Sequence, residues 1–536
     1  MPNNYHLMFI KRSLRAVLFI TLAVGLLGCD AGVQPRSSAS PETAFQDESS
    51  YRAFLGKLYG GLVLTGQDGP AGNPDLQLID EGFSQYVRAY WQLQELPTDE
   101  AVLAWGDEGI QPLNKQQWTP ANPFVEAMYN RIFFQASMVN EFLRQTTEAK
   151  LNERGVSEDM RQRVQQFRAE ARFLRALSYW HGVDLFGGMP IVTEEDEIGL
   201  QSPTPNTREE VFNFVEQELL AIEDQMPAPG AAEYGRADQA AVWMVLSKLY
   251  LNAEVYVGEP HYEEVITYTD KIIGSEAYEL ADEYMHNFKA DNHTSPEVIF
   301  PVPQDGEQTR TYGGTTFLGH AAICGGTMNA NNYGFGGGWW GLRTTSNVVN
   351  RYPSDSTDVD SRAIFFTQGQ SKEVGSLTSF TEGYALPKYQ NVTTGGEKGE
   401  NSTFPDTDYP MFRLADAYLM YAEAVARGAG GSMSKAVGLV NDLRERAYGD
   451  PSGNITAGEL TPEFVLDERG RELVWEGHRR SDLIRFNQFS ENGTWSGKGG
   501  SIEGTTTQGF RDLYPVPESQ LQVNENLEQN PGYGGS

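Results

Sequence analysis

The chain has 536 residues, 39% hydrophobic and 11% aromatic, which is ample material for a packed core. That excludes a disordered, collagenous or small disulfide-stapled chain. Acidic residues number 73 against 41 basic ones, a net charge of −32, which excludes the basic footprint that nucleic-acid binding needs.

Lys11, Arg12 and Arg15 precede an apolar run, Ala16 to Leu27, of signal-peptide length and too short to span a bilayer. The run ends in Leu26-Leu27-Gly28-Cys29, which resembles a bacterial lipobox. Residues 1–28 are therefore expected to be a lipoprotein signal peptide and Cys29 the lipid anchor, with an ordinary secretory signal as the alternative. Lipidation of Cys29 would leave Cys324 without a disulfide partner. Residues 29–50, rich in Ser, Pro and Gln, read as a flexible tether. No later segment reaches 18 consecutive apolar residues, so no later membrane span is expected.

From residue 51 the pattern is mainly helical. After a Gly-, Asn- and Pro-rich stretch at about 60–123, helices are predicted at 124–146 and 158–185. In the second, Val164, Phe167, Ala171, Leu174, Leu177 and Trp180 share one face, opposite Arg168, Arg172 and Arg175. Thr207 and Glu210 have capping-box spacing for a helix at 208–224. Further helices are predicted over 238–256, 261–274, 411–426, 433–447 and 462–478, with a second irregular stretch at about 287–410. The helices fall into neighbouring pairs: 124–146 with 158–185, 208–224 with 236–256, and 411–426 with 433–447. Stacked amphipathic pairs are the logic of tetratricopeptide-like scaffolds, although the strict repeat signature is absent. The expectation is one interwoven domain over 51–536, a helical-pair scaffold presenting two long loop-rich excursions with small β elements.

EARFLRALSYW (Glu170–Trp180) followed by DLFGGMPIV (Asp184–Val192) resembles a hallmark of the SusD/RagB family of bacterial surface lipoproteins. Four further segments match it: Gly235–Tyr256, Met411–Ala424, ERGRELVWEGHRRSDLIRF (Glu468–Phe486) and Tyr514–Tyr533. Pro74–Gly82, Glu95–Trp105, Gln304–Gly314 and Phe404–Asp408 agree with its starch-binding members in particular. The resemblance implies a tetratricopeptide-like fold. It also implies an outer-membrane, lipid-anchored protein of polysaccharide utilisation that passes glycan to a SusC-like TonB-dependent transporter.

A glycan has apolar C–H faces and a belt of hydroxyls, so its site needs exposed aromatic platforms and a few polar side chains. Trp105 lies in the first excursion; Tyr312, Trp339 and Trp340 lie in the second. Glycine surrounds both second-excursion Trp in GFGGGWWG (Gly334–Gly341) and gives their rings no packing. By the resemblance, Trp105, Tyr312 and Trp339 form a curved aromatic arc, and Asp80 and Arg88 contact sugar hydroxyls. Glu108 stands where the starch binders carry a contacting Asn. A curved arc suits the helical twist of an α-1,4-glucan, so the expected ligand is starch or maltooligosaccharide. A different glycan, a glycoside hydrolase needing a carboxylate pair, and a protein-only helical adaptor are the alternatives.

Asp406-x-Asp408 beside Asp291-Asn292 offers hard oxygen ligands suited to a structural Ca²⁺. Asp358-x-Asp360 lacks the rest of an EF-hand loop and reads as solvated. No Walker A, H-E-x-x-H or G-x-S-x-G motif occurs. Arg479, Arg480 and Arg485 are expected to pair with acids of their own helical unit, and His181 and His478 to be structural.

Overall fold

The computed structural model describes Phe45, 48–72, 74–76, 79–197, 199, 202–323 and 327–534. The expected signal peptide, Cys29, most of the tether and Cys324 lie outside the described residues. The chain divides into a unit ending at Tyr51 and a second from Arg52 to Ser536. Within the first, the rings of Phe45 and Tyr51 lie 5.2 Å apart.

Helix starts in the second unit follow local chemistry. Asn122 accepts from the amides of Phe124 and Val125 and is followed by Pro123, opening Pro123–Gln145. Ser157 caps Glu158–Leu185. The Thr207/Glu210 capping box is present at Arg208–Ile222, with Thr207 N–H donating to Glu210 at 2.7 Å. No helix among the described residues is long and apolar enough to cross a membrane.

The helices stack in series. Pro123–Gln145 packs on Glu158–Leu185, which packs on Arg208–Ile222; Gln239–Leu251 packs on Tyr262–Gly274, which packs on Leu414–Ala426 and through it on Met433–Tyr448. The pairing expected between 208–224 and 236–256 is only a minor contact; each of these helices has a larger partner elsewhere. The reason lies on the face read as polar. Arg175 is buried and pairs with Glu218 at 2.7 Å, and Arg172 reaches the same carboxylate, so Arg208–Ile222 is drawn onto the long helix.

The excursions hold more order than their composition implies. The first contains helix Tyr86–Glu95, all ten residues of which are buried, and strand β1, Ala101–Leu103. The second contains β2 (Val298–Val302), helix Gly314–Ala322 and β3 (Leu342–Thr344), and ends in β4 (Tyr409–Arg413). β1 pairs antiparallel with β3 in the register Ala101↔Thr344 and Leu103↔Leu342, so one small sheet stitches the excursions together. β2 pairs with β4 with two bulges, bracketing the second excursion at its roots.

Buried charge fixes these pieces. Arg413 reaches Glu297 and Glu472 at 2.7 Å and Glu476 at 2.6 Å; Arg362 holds Asp360, Glu468 and Glu472. Asp360 is thus fully buried rather than solvated. Arg479 and Arg480 do form ion pairs, but to distant acids: Arg479 to Asp99 and Arg480 to Asp184, while Arg485 takes Glu423 together with the local Asp482. The family-matched segment is therefore a hub that ties first-excursion residues to the scaffold. His181 is buried, and burial lowers its ionisation to about 3, consistent with a structural ring.

Removing Arg413 would leave three buried carboxylates each short of one partner, so Arg413→Met is expected to destabilise the protein by about 3–5 kcal/mol, read by chemical denaturation. Burial alone would raise Glu468; Arg471, Arg362 and Arg444 overcome it and hold it at about 2. Its folded value is depressed, so its contribution is complete above the ordinary 4.5 and lost as pH falls through about 2. The thermal midpoint should drop across that window, and less so in Glu468→Gln.

Candidate functional site

The ring-bearing residues meet because β1 and β3 pair. Ala104 and Trp105 follow β1 directly, and Trp339, Trp340 and Gly341 precede β3. The ladder continues past the strands: Ala104 N–H donates to the Gly341 carbonyl at 2.9 Å, and Trp105 Nε1 donates to the Trp340 carbonyl at 2.6 Å. Gly341 has φ of 102°, and a Cβ there would sit 2.7 Å from Trp105 Nε1, so only glycine fits.

Three rings then form a continuous line. The centroids of Tyr312 and Trp339 are 6.2 Å apart with planes turned by 51°; those of Trp339 and Trp105 are 6.4 Å apart and turned by 48°. Each ring is thus tilted against the next, so the three do not form a flat platform. Each ring is backed by a buried one. Phe404 lies 5.3 Å behind Tyr312, His320 stacks 4.7 Å from Trp339, and Phe317 meets Trp105 edge-on at 5.8 Å. Tyr312 is exposed, whereas Trp105 and Trp339 are half-buried, so each keeps part of its surface open to water.

Arg88 lies beneath the arc. Its guanidinium is 4.2 Å from the Phe83 centroid, 4.1 Å from Phe317 and 5.6 Å from Trp105. Nη1 donates to the Tyr312 carbonyl at 3.1 Å, while Nε and Nη2 are buried and have no hydrogen-bond partner. Burial pulls this group down to about 9, against the fields of Asp80 and Asp107. A buried cation with two unmatched donors beside aromatic faces is costly to the fold. Asp80 is exposed, with one carboxylate oxygen accepting from Gly82 N–H at 3.0 Å. Glu108 is also exposed; the acid whose field reaches Arg88 on that turn is its neighbour Asp107.

A family model described as "SusD family" matches residues 361–533, and one described as "Starch-binding associating with outer membrane" matches 86–251. The starch-binding protein SusD of Bacteroides thetaiotaomicron is 34% identical, the alignment covering 98% of this chain and 99% of that protein. The chain belongs to the SusD family. Solved structures agree in fold. A SusD homolog from Bacteroides thetaiotaomicron superposes with a TM-score of 0.72 at 18% identity, covering 92% of this chain and 98% of that one. A laminarin-binding SusD-like protein gives 0.70 at 22% identity, covering 91% and 100%. The SusD-family chain is thus a non-catalytic, outer-membrane-associated glycan-binding protein of mainly helical fold, and the hydrolase alternative falls away.

The expected calcium ligands of this SusD-family chain do not assemble into a cage. Both oxygens of Asp291 accept from Thr394, those of Asp406 accept from the amides of Gly306 and Glu400, and Asp408 accepts from Tyr234 and from Gln304 N–H. No group of three His, Cys, Asp or Glu suited to a metal occurs among the described residues. These carboxylates are occupied as loop ties instead.

Several residues at the site escaped the sequence reading. Trp340, named there only by its place in the glycine run, is 42% exposed on a left-handed backbone with φ of 64°, a strained setting for an indole. Phe404 lies in a family-matched segment but was given no role there, His320 carries no motif, and Asp107 was passed over for Glu108. The glycine run Gly334–Gly341 was the signal for the loop. Because Arg88 leaves two buried donors unmatched, Arg88→Met is expected to hold or raise the thermal midpoint. A loss near that of a broken buried ion pair, about 3 kcal/mol by denaturation, would instead make Arg88 a structural tie.

Proposed function

We propose that this SusD-family protein captures starch or maltooligosaccharide at the cell surface and passes it to a SusC-like TonB-dependent transporter. Cys29 would hold it on the outer membrane through a lipid. The observation that carries the glycan reading is the arc itself. Rings tilted by 51° and 48° from their neighbours offer no flat platform, which suits a helical α-1,4-glucan better than a flat β-1,4-linked ribbon. Trp105, Tyr312 and Trp339 receive the apolar sugar faces. Arg88 donates its idle N–H groups to hydroxyl oxygens, and Asp80 and Glu108 accept from hydroxyls at the rim. The 34% identity to a protein named for starch binding supports the same ligand.

Calorimetry of the full-length protein in a non-glycosidic detergent tests it, with maltoheptaose and with laminari-, levan- and xylo-oligosaccharides. Maltoheptaose should bind saturably, and Trp339→Ala should cost about 2 kcal/mol, roughly a 30-fold loss. Binding confined to one of the others would replace the ligand and keep the role. Cys29→Ala should move the protein out of the membrane fraction. A transporter of β-barrel type should copurify with the wild type, and its absence would count against the hand-over.

A further inference from the structure

The glycine-rich run before Trp339 has no side chains of its own to anchor it and is held through its backbone: Gly336 N–H donates to the Ser402 carbonyl at 2.9 Å, and Gly338 packs closely on Ile323. A Cβ added at Gly337 would meet nothing within 4 Å, and Gly336 and Gly338 bring no side chains of their own. The platform Trp is therefore carried by a segment that must be fixed from outside.

His320 is placed to do this. It lies on helix Gly314–Ala322 and is 4% exposed. Its ring is nearly parallel to the Trp339 indole, at 12°, and the Phe335 ring lies 4.5 Å away. Nδ1 is 2.7 Å from the Gly337 carbonyl oxygen, and Nε2 is 2.8 Å from the Thr403 carbonyl oxygen. The His320 carbonyl in turn accepts from Trp339 N–H at 2.8 Å. Thr403 precedes Phe404, the ring that backs Tyr312. One residue thus touches the loop before Trp339, the Trp339 ring and the segment supporting the neighbouring platform.

Both ring nitrogens face carbonyl oxygens, and a carbonyl oxygen only accepts. A neutral imidazole has one N–H and can satisfy one of them; the imidazolium has two and satisfies both.

We infer that His320 is the positioning residue of the glycan platform: bridging the Gly337 and Thr403 carbonyls through its two ring nitrogens, with one bond when neutral and two when protonated, it clamps the two loops and holds the Trp339 indole flat for a sugar face. This rests on the reading of Trp339 as a platform.

Burial lowers the ionisation of His320 from the ordinary 6.5, and the Thr403 and Gly337 carbonyls oppose that shift; no charged side chain contributes. The neighbours at its faces are Trp339 and Phe335, neither ionisable. The second clamp bond therefore forms as pH falls through the His320 ionisation, and glycan binding tightens with it. Asp408, five residues beyond Thr403, is pushed up to about 7 by burial and titrates as well, so a variant must separate the two.

His320→Phe keeps a flat ring behind Trp339 and removes both donors. Calorimetric Kd for maltoheptaose is measured on full-length wild type and H320F from about pH 7.5 to about pH 5. The wild type should tighten about threefold or more, the worth of one hydrogen bond. H320F should lose that slope and bind more weakly at the acid end. A flat wild-type profile, or an H320F slope equal to it, overturns the inference. Nitrogen NMR of the imidazole in the sugar-free protein reads the clamp independently, even where H320F does not fold. Two protonated ring nitrogens at the acid end support it, and a single one throughout overturns it. A wild type that binds no glucan at any pH would remove the starch reading, while the NMR still decides the clamp.

Discussion

The structure depends on neutralising charge away from water. A guanidinium or carboxylate buried alone is several kcal/mol unfavourable, and it is tolerated only inside a dense set of opposite charges. Glu472 meets that condition by drawing on Arg362, Arg413 and Arg446, and each of those arginines holds at least one other acid. These groups come from four separated stretches of chain, so the network constrains how the second excursion folds back on the last helices. The same hub reaches the first excursion. Arg479 and Arg351 grip Asp99, Arg351 also takes Glu100, and Trp475 Nε1 donates to the Glu100 carbonyl at 3.2 Å. Asp99 and Glu100 immediately precede β1, so the strand that presents Trp105 emerges from the charged core.

At the other end of that strand the logic reverses. The hub around Glu472 pairs its charges densely, whereas the site leaves Arg88 with two unmet donors and Trp340 on a strained backbone. Such local departures from low energy are tolerated when the surroundings fix them, and they concentrate where a ligand completes the set. The rings behind the arc serve that purpose. Phe404, His320 and Phe317 are buried, so each ring of the arc rests on a packed neighbour that fixes its orientation.

Much of this was legible in the sequence. The amphipathic helices, the capping box and the mainly helical class follow from periodicity and cap chemistry, which are local. Trp105, Tyr312 and Trp339 were legible through the family resemblance, and the structure does bring them together. The rest was hidden for physical reasons. Helix Tyr86–Glu95 buries Arg88, Gln92, Gln94 and Glu95, so it shows no polar face to read. The partners of Arg479 and Arg480 lie hundreds of residues away, and nothing local announces them. The three aspartates proposed for calcium share a pattern in sequence but spend their oxygens on different loops. His320 carries no motif because its role depends only on which carbonyls fold against it.

The sheet of β1 and β3 has three residue pairs, yet it sets how the Trp105 backbone lies against the segment that leads from Trp339 into β3. That placement is written in main-chain hydrogen bonds, to which side-chain identity is indifferent. Rings can therefore be exchanged along this frame while the backbone placement persists, which makes the chemical preference of the surface easy to retune by single substitutions. A one-residue insertion or deletion between Ala101 and Trp105 has the opposite character. It shifts the strand by half a pleat, turns the indole to the other face of the sheet and removes it from the surface altogether. Sequence drift in the ring positions and strict conservation of length beside them are the evolutionary record such a frame would leave.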